Sequence, residues 1–318
     1  MNETKLYIVV PCYNEQEVLH ETAKRLRGKL ARMVSQGLCS QSSRILFVDD
    51  GSTDDTWDII ARLHSECDNI CAIKLAHNRG HQNALWAGLM AAREQADCVI
   101  SIDADLQDDI EILDEFLRKF DGGCDIVYGV RSDRRKDSAF KRSTAQGFYK
   151  FMHILGTEVI YNHADYRLMS KRAVDALSEY DEVNLFLRGM VPDLGFKHDT
   201  VTYERHERFA GKSKYPLKKM ISFAVDGITS FSVKPLKIIS NAGLIISLLS
   251  VLGLLYALIS KLFFPETTVA GWTAIVASIW LLGGIQLFCL GIIGEYIGKI
   301  FSEVKHRPKF ITEQTLIK

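Results

Sequence analysis

The sequence has no charge imbalance: its 318 residues carry 39 Lys and Arg against 39 Asp and Glu, so no bulk field argues for nucleic acid as a partner. It also lacks cysteine pairs at metal-ligand spacing. The seven cysteines are scattered, several inside apolar strand-like runs, and read as small buried hydrophobes of a reducing compartment. None sits in a motif that would make it a nucleophile. A secretory leader is missing too, because MNETKLYIVV passes directly into a strand pattern with no basic region and no long apolar stretch. The polar part of the chain is therefore expected in the cytoplasm. Charge is scarce again in two long runs, residues 238–264 and 272–293, and each meets the roughly 20 residues needed to cross a bilayer. Lys234 and Lys237 precede the first run, and Lys299, Lys305, Arg307 and Lys309 follow the second, while the loop between them carries only Lys261 and Glu266. This asymmetry predicts a multi-pass hairpin in the cell membrane with both termini cytoplasmic.

What the chain does have is acid at strand ends. In residues 98–109, CVISIDADLQDD, an apolar run too short for a helix stops at Asp103 and Asp105. Side chains two apart on an extended segment point the same way, so both carboxylates can converge on one hard cation such as Mg²⁺ or Mn²⁺. Gln107 adds a neutral oxygen on the same face if the extended geometry persists. The sequence RILFVDDGSTDDT repeats the pattern: a buried strand ends in Asp49 and Asp50, Gly51 permits a tight turn, and residues 52–55 supply helix-capping chemistry. Capping needs one oxygen rather than several crowded carboxylates, and a carboxylate here can accept from a uracil N–H or a ribose hydroxyl. Strands at 5–10, 45–48, 70–75, 98–102 and 125–130 alternate with helical patterns. The expected fold is α/β with a largely parallel, covered sheet whose ligands gather at the strands' carboxyl ends.

PCYNE (11–15), VDDGSTDDT (48–56), NRGHQNAL (78–85) and DADLQD (103–108), in this order and spacing, resemble the family-2 glycosyltransferases of GT-A fold. They are most similar to the polyprenyl-phosphate branch, the bactoprenol glucosyltransferases and dolichyl-phosphate mannose synthases. The resemblance implies a Rossmann-like GT-A domain over residues 1–215, an amphipathic juxtamembrane helix over 216–235, two transmembrane helices within 236–300 and a cytoplasmic tail at 301–318. It implies that Pro11, Tyr13, Glu15 and Asp50, with Asp49 beside them, hold the nucleotide, and that Asp103, Asp105 and Gln107 hold the metal on the diphosphate.

The densest basic segment, GVRSDRRKDSAFKR, follows the fifth strand. Arginine clamps phosphate bidentately and lysine adds point charge. By the resemblance Arg131 binds the acceptor's lipid phosphate, with help from Lys141 and Arg142. Asp165 matches an aspartate proposed as the family's catalytic base. A phosphate monoester has a second pKa near 6, so the acceptor hardly needs deprotonating, and Asp165 either orients a substrate or removes a residual proton. Arg188 would approach the donor phosphates, and Arg208, Ser213 and Tyr215, spaced R-x-x-G-x-S-x-Y with Gly211, resemble a loop that closes over donor and acceptor.

The expected activity is inverting, metal-dependent transfer of a hexose, glucose first, from a UDP-sugar to undecaprenyl phosphate at the cytoplasmic membrane face. Rivals are the same reaction with UDP-N-acetylglucosamine or GDP-mannose, a processive synthase, and an idle nucleotide-binding scaffold. The chain has no QxxRW segment and only two candidate spans, which disfavours the synthase. The intact Asp103, Asp105 and Arg131 disfavour the scaffold. Gly283 and Gly284 allow close helix packing, so a homo-oligomer stays open.

Overall fold

The computed structural model describes residues 4–132, 163–205 and 272–317, with single helical positions between 236 and 252. Strict alternation builds the centre of the sheet. In β1 (Leu6–Cys12), Leu6, Ile8, Val10 and Cys12 enter one core and Tyr7 and Val9 the other, as a strand covered on both faces requires. Parallel neighbours β2 (Arg44–Asp49) and β4 (Cys98–Ser101) flank it, and β3 (Ile70–Leu75) lies beyond β2. Helices α1 (Leu19–Ser35), α2 (Thr56–Glu66) and α4 (Leu113–Asp121) close the first core. Helices α3 (His81–Arg93), α5 (Lys171–Ser178) and α6 (Leu187–Asp193) close the second. Close approach of α3 depends on Gly88, where a Cβ would collide with the Val9 and Val48 side chains. Cys12, Cys39, Cys67, Cys71, Cys98 and Cys124 are all buried and unbridged.

The sheet is mixed rather than largely parallel. Its order is β7-β5-β6-β4-β1-β2-β3-β8, with β6 (His163–Ser170) antiparallel between β4 and β5 (Ile126–Arg131), and β7 (His198–Tyr203) parallel to β5 on the outer edge. Because β6 runs backwards, its first residues lie beyond the carboxyl end of β4. Ser101 pairs with Arg167 at the end of the ladder, and Asp165, two residues before Arg167, approaches the same imidazole, His81, as Asp103. The last strand is also antiparallel: β8 (Thr312–Leu316) pairs with β3, so part of the expected tail completes the sheet.

Between them α7 (Trp272–Val304) runs 33 residues, past the expected end at 293, and exposes Ile279, Leu287, Phe288 and Ile300. Within it Ile285–Val304 is long and apolar enough to cross a membrane. The first apolar run, apart from single positions, and the juxtamembrane segment 216–235 lie outside the described residues.

Candidate active site

Two loops at the carboxyl edge are laced together by short polar residues. Asn14, at φ 52°, donates its backbone N–H to Ser52 Oγ at 2.9 Å and accepts from Thr53 N at 2.9 Å, while Glu15 N donates to Thr56 Oγ1 at 2.9 Å. Pro11 is buried at the end of β1, Tyr13 is exposed and Glu15 half-buried, so the PCYNE stretch presents its last residues at the surface of this seam. Gly51, at φ +64°, lies where a Cβ would stand 2.6 Å from the His77 carbonyl carbon, so any side chain would part the loops.

Asp49 and Asp50 are buried beneath the seam. Asp49 accepts from the Ser52 amide and hydroxyl, and Asp50 accepts from Arg79 N at 2.7 Å and Gly80 N at 2.8 Å. Burial pushes both carboxyls up, against those hydrogen bonds. Asp50 therefore pins the loop that starts α3. That start carries His81, whose Nε2 stands 3.6 Å from Asp103 Oδ1 and 3.7 Å from Asp165 Oδ2.

After Ser101 the chain turns instead of continuing extended, with Leu106 at φ 57°. Burial nevertheless alternates: Ala104, Leu106 and Asp108 point inward, and Asp103, Asp105 and Gln107 toward the mouth. Asp103 keeps 38% of its side chain in solvent. Desolvation and the Asp105 and Asp165 carboxylates push its pKa up, while His81 and Arg131 pull it down. Arg131 is thus within electrostatic reach of Asp103, on the same side of the molecule. The Gln107 side-chain oxygen accepts from Arg205.

Asp165 is the best-satisfied acid of the site. Oδ1 accepts from Arg167 Nη2 at 2.9 Å, and Oδ2 from Arg188 Nη2 at 3.0 Å and Gln82 Nε2 at 3.2 Å. Burial would raise its pKa, but Arg188, Arg167 and His81 outweigh it and hold the carboxyl far below the usual range. A carboxylate that holds its proton so weakly is a poor general base. We expect Asp165→Asn to lower kcat by about 100-fold and by the same factor at every pH between about 5 and 9. A pH–rate profile that loses an ionisation on this substitution would restore the base.

Arg131 ends β5 beside Tyr203, the end of β7. Its Nε donates to Tyr203 OH at 3.2 Å and its Nη2 pairs with Asp108 Oδ1 at 3.5 Å, while Tyr203 OH donates to the same Asp108 oxygen at 2.5 Å. Burial, then the Asp103 charge, pushes Asp108 up to about 6 against Arg131 and Tyr203. Sequence reasoning missed His81, Gln82, Asp108, Tyr203 and Arg205 as site residues. His81, Gln82 and Asp108 sit inside motifs already recognised; Tyr203 and Arg205 carry no local signal. Lys141, Arg142, Arg208, Ser213 and Tyr215 lie outside the described residues.

The family model described as glycosyl transferase family 2 matches residues 7–178, and that of the GtrB C-terminal hairpin matches residues 234–300. The chain is 54% identical over 305 residues to the glycosyltransferase YkoT of Bacillus subtilis (strain 168), covering 96% of this chain and 90% of that one. It is 39% identical over 312 residues to a protein of Shigella flexneri named SfII prophage-derived bactoprenol glucosyl transferase, with 98% of both chains covered. Among solved structures, the mannosyltransferase PcManGT from Pyrobaculum calidifontis in complex with GDP-Man and Mn²⁺ aligns at 15% identity and a TM-score of 0.46, over 93% of this chain and 88% of that one. With acids and arginines gathered at one sheet edge and both family models matched in order, the chain belongs to glycosyl transferase family 2 and is a glycosyltransferase of GT-A-like α/β fold that carries a GtrB-type C-terminal hairpin.

Proposed function

We propose that this enzyme transfers a hexose, glucose first among donors, from a UDP-sugar to a polyprenyl phosphate such as undecaprenyl phosphate, with inversion, at the cytoplasmic face of the membrane. The observation that carries the reading is Arg131 paired with Asp108, on the turn that also bears Asp103 and Asp105, in a sheet whose far edge is joined through β8 to an exposed apolar helix. The Shigella relative, named for bactoprenol glucosyl transfer, supports the acceptor. Since β8 returns to the catalytic sheet so soon after α7, the end of that helix lies on the catalytic side of the membrane. A long isoprenoid tail cannot leave the bilayer cheaply, so the active site has to be held at the headgroup plane.

The acids fit a divalent cation. Among the described residues no group of three His, Cys, Asp or Glu side chains forms a complete cage. Two carboxylates at the mouth still suit Mg²⁺ or Mn²⁺, which takes the rest of its sphere from diphosphate oxygens and water. Burial first, then the neighbouring Asp105 and Asp165 carboxylates, raises the pKa of Asp103, and a bound cation would favour its charged form. Bound by Asp103 and Asp105, the ion would neutralise charge building on the departing diphosphate; Gln107 joins them only after leaving Arg205.

The chain's own residues divide the remaining work. Tyr13 and Glu15, with Pro11 beneath them, receive the uridine, and Asp49 and Asp50 keep that seam closed. Arg131, oriented by Asp108 and Tyr203, grips the acceptor phosphate, whose oxygen is already largely anionic and attacks the anomeric carbon in line. Asp165 takes no proton: it orients Arg188 and Gln82 around the reacting centre. Lys141 and Arg142 add to the acceptor clamp, and Arg208, Ser213 and Tyr215 close the loop over both substrates.

The test uses the full chain in membranes with radiolabelled UDP-glucose, undecaprenyl phosphate and Mn²⁺. Label should pass into the chloroform-extractable fraction, and UDP-N-acetylglucosamine, UDP-galactose and GDP-mannose should give less. No extractable label from any of the four donors would favour the idle nucleotide-binding scaffold.

A further inference from the structure

The end of α7 is docked on the catalytic domain at three places. The first is β8, paired with β3 from Ala72 with Leu316 to Leu75 with Thr312, and extended by Ala76 N donating to Ile311 O at 2.9 Å. The second is Lys309, whose Nζ donates to Tyr180 O at 2.7 Å and stands 3.9 Å from the ring centroid of Trp86 on α3. The third is Glu303, in the last turn of α7. Its Oε2 accepts from Val183 N at 2.7 Å and its Oε1 from Asn184 N at 2.9 Å.

The first two contacts are anchors; the third reaches the active site. Residues 183 and 184 lie in the loop that leads into α6, the short helix that carries Arg188. Leu187, which opens α6, donates its N–H to Gln82 Oε1 at 3.1 Å and accepts from Arg167 Nη1 at 3.2 Å through its carbonyl. Gln82, Arg167 and Arg188 are all donors to Asp165. An open groove of about 600 Å³ runs between α7 and this loop, with Val183 and Asn184 on one side and glycines together with Glu295, Lys299 and Ser302 on the other. The Glu303 carboxylate, accepting from two consecutive amides, ties helix to loop with charge-assisted bonds of fixed geometry.

We propose that Glu303 is a positioning residue for Arg188, through which the membrane helix sets the loop that brings this arginine to Asp165. The proposal rests on the reading that the Arg188–Asp165 pair serves sugar transfer. It gives the apolar helix a role beyond anchorage: the distance of α7 from the sheet becomes part of the geometry of the site.

The experiment compares Glu303→Ala, Glu303→Gln, Arg188→Ala and the double variant Arg188→Ala/Glu303→Ala in the full chain in membranes. Glu303→Ala should lower kcat about tenfold with the donor KM unchanged, and amide hydrogen exchange at residues 183–188 should speed up about tenfold or more while β1 and β2 keep their protection. Glu303→Gln keeps one acceptor oxygen and should fall between; it carries the comparison if the alanine variant fails to fold. The double variant should be no slower than Arg188→Ala, because Glu303 acts on the reaction through Arg188. Additive losses, or unchanged exchange at 183–188, would overturn the proposal. Full activity in Arg188→Ala would instead remove the catalytic reading of that arginine, with the exchange data still deciding the coupling.

Discussion

Asp103→Ala and Asp105→Ala should each lower kcat by about 1,000-fold, ~4 kcal/mol of transition-state stabilisation, with the fold intact. Both side chains sit at the mouth of the site rather than in either core, so the substitutions remove charge without opening a cavity. Chelation should reduce the wild type to a similar rate, and added Mn²⁺ should restore the wild type but neither variant. The measurement is initial rate at saturating donor and acceptor over a metal titration, with thermal melts as the folding control. In the proposed reaction the departing diphosphate is the most highly charged group, and at the edge of a protein its charge must be met by a cation or by fixed donors. A rate within tenfold of wild type, or one indifferent to chelation, would show that the arginines neutralise the diphosphate alone.

Arg131→Ala should raise the acceptor KM by about 100-fold, the worth of a two-pronged charge-assisted contact of roughly 3 kcal/mol, and leave the donor KM within about twofold. Arg131→Lys should recover only part, since an ammonium keeps the charge and loses the fork. Substitution also deprives buried Asp108 of its cationic partner, so a loss of stability is expected with the kinetic one. Tyr203→Phe separates the two effects: it removes the hydroxyl that joins Arg131 to Asp108 but leaves both charges. A milder rise in acceptor KM is expected there. An unchanged acceptor KM in Arg131→Ala would move acceptor recognition to other basic residues.

Much of this organisation was legible in the sequence because local patterns carry it. β1, β2, β3 and β5 show as short apolar runs bounded by polar residues, and the acids that end β2 and those in the turn after β4 mark the functional edge. The apolar helix showed through length and composition, although it continues to Val304 rather than ending near residue 293. The strand at Thr312–Leu316 did not show: TEQTL is polar, and it becomes a strand by adding to an edge already made by β3. The extended geometry expected for Asp103 to Gln107 was also replaced by a turn, although the outward facing of the odd-numbered residues survived it.

By itself the sequence determined which residues end the central strands, that two neighbouring carboxylates face outward there, and that a long apolar helix follows the catalytic part. Each of these is a property of a few consecutive residues, set by side-chain alternation and chain stiffness. Only the tertiary structure decided that β6 runs antiparallel and so lays Asp165 against His81 and Arg188 near Asp103. The same holds for Tyr203 under Arg131 and for Glu303 beneath the loop to α6. These partners are separated by 23 to 120 positions in the sequence. Nothing local selects such pairs; strand direction and the closing of distant chain segments around shared buried charges do.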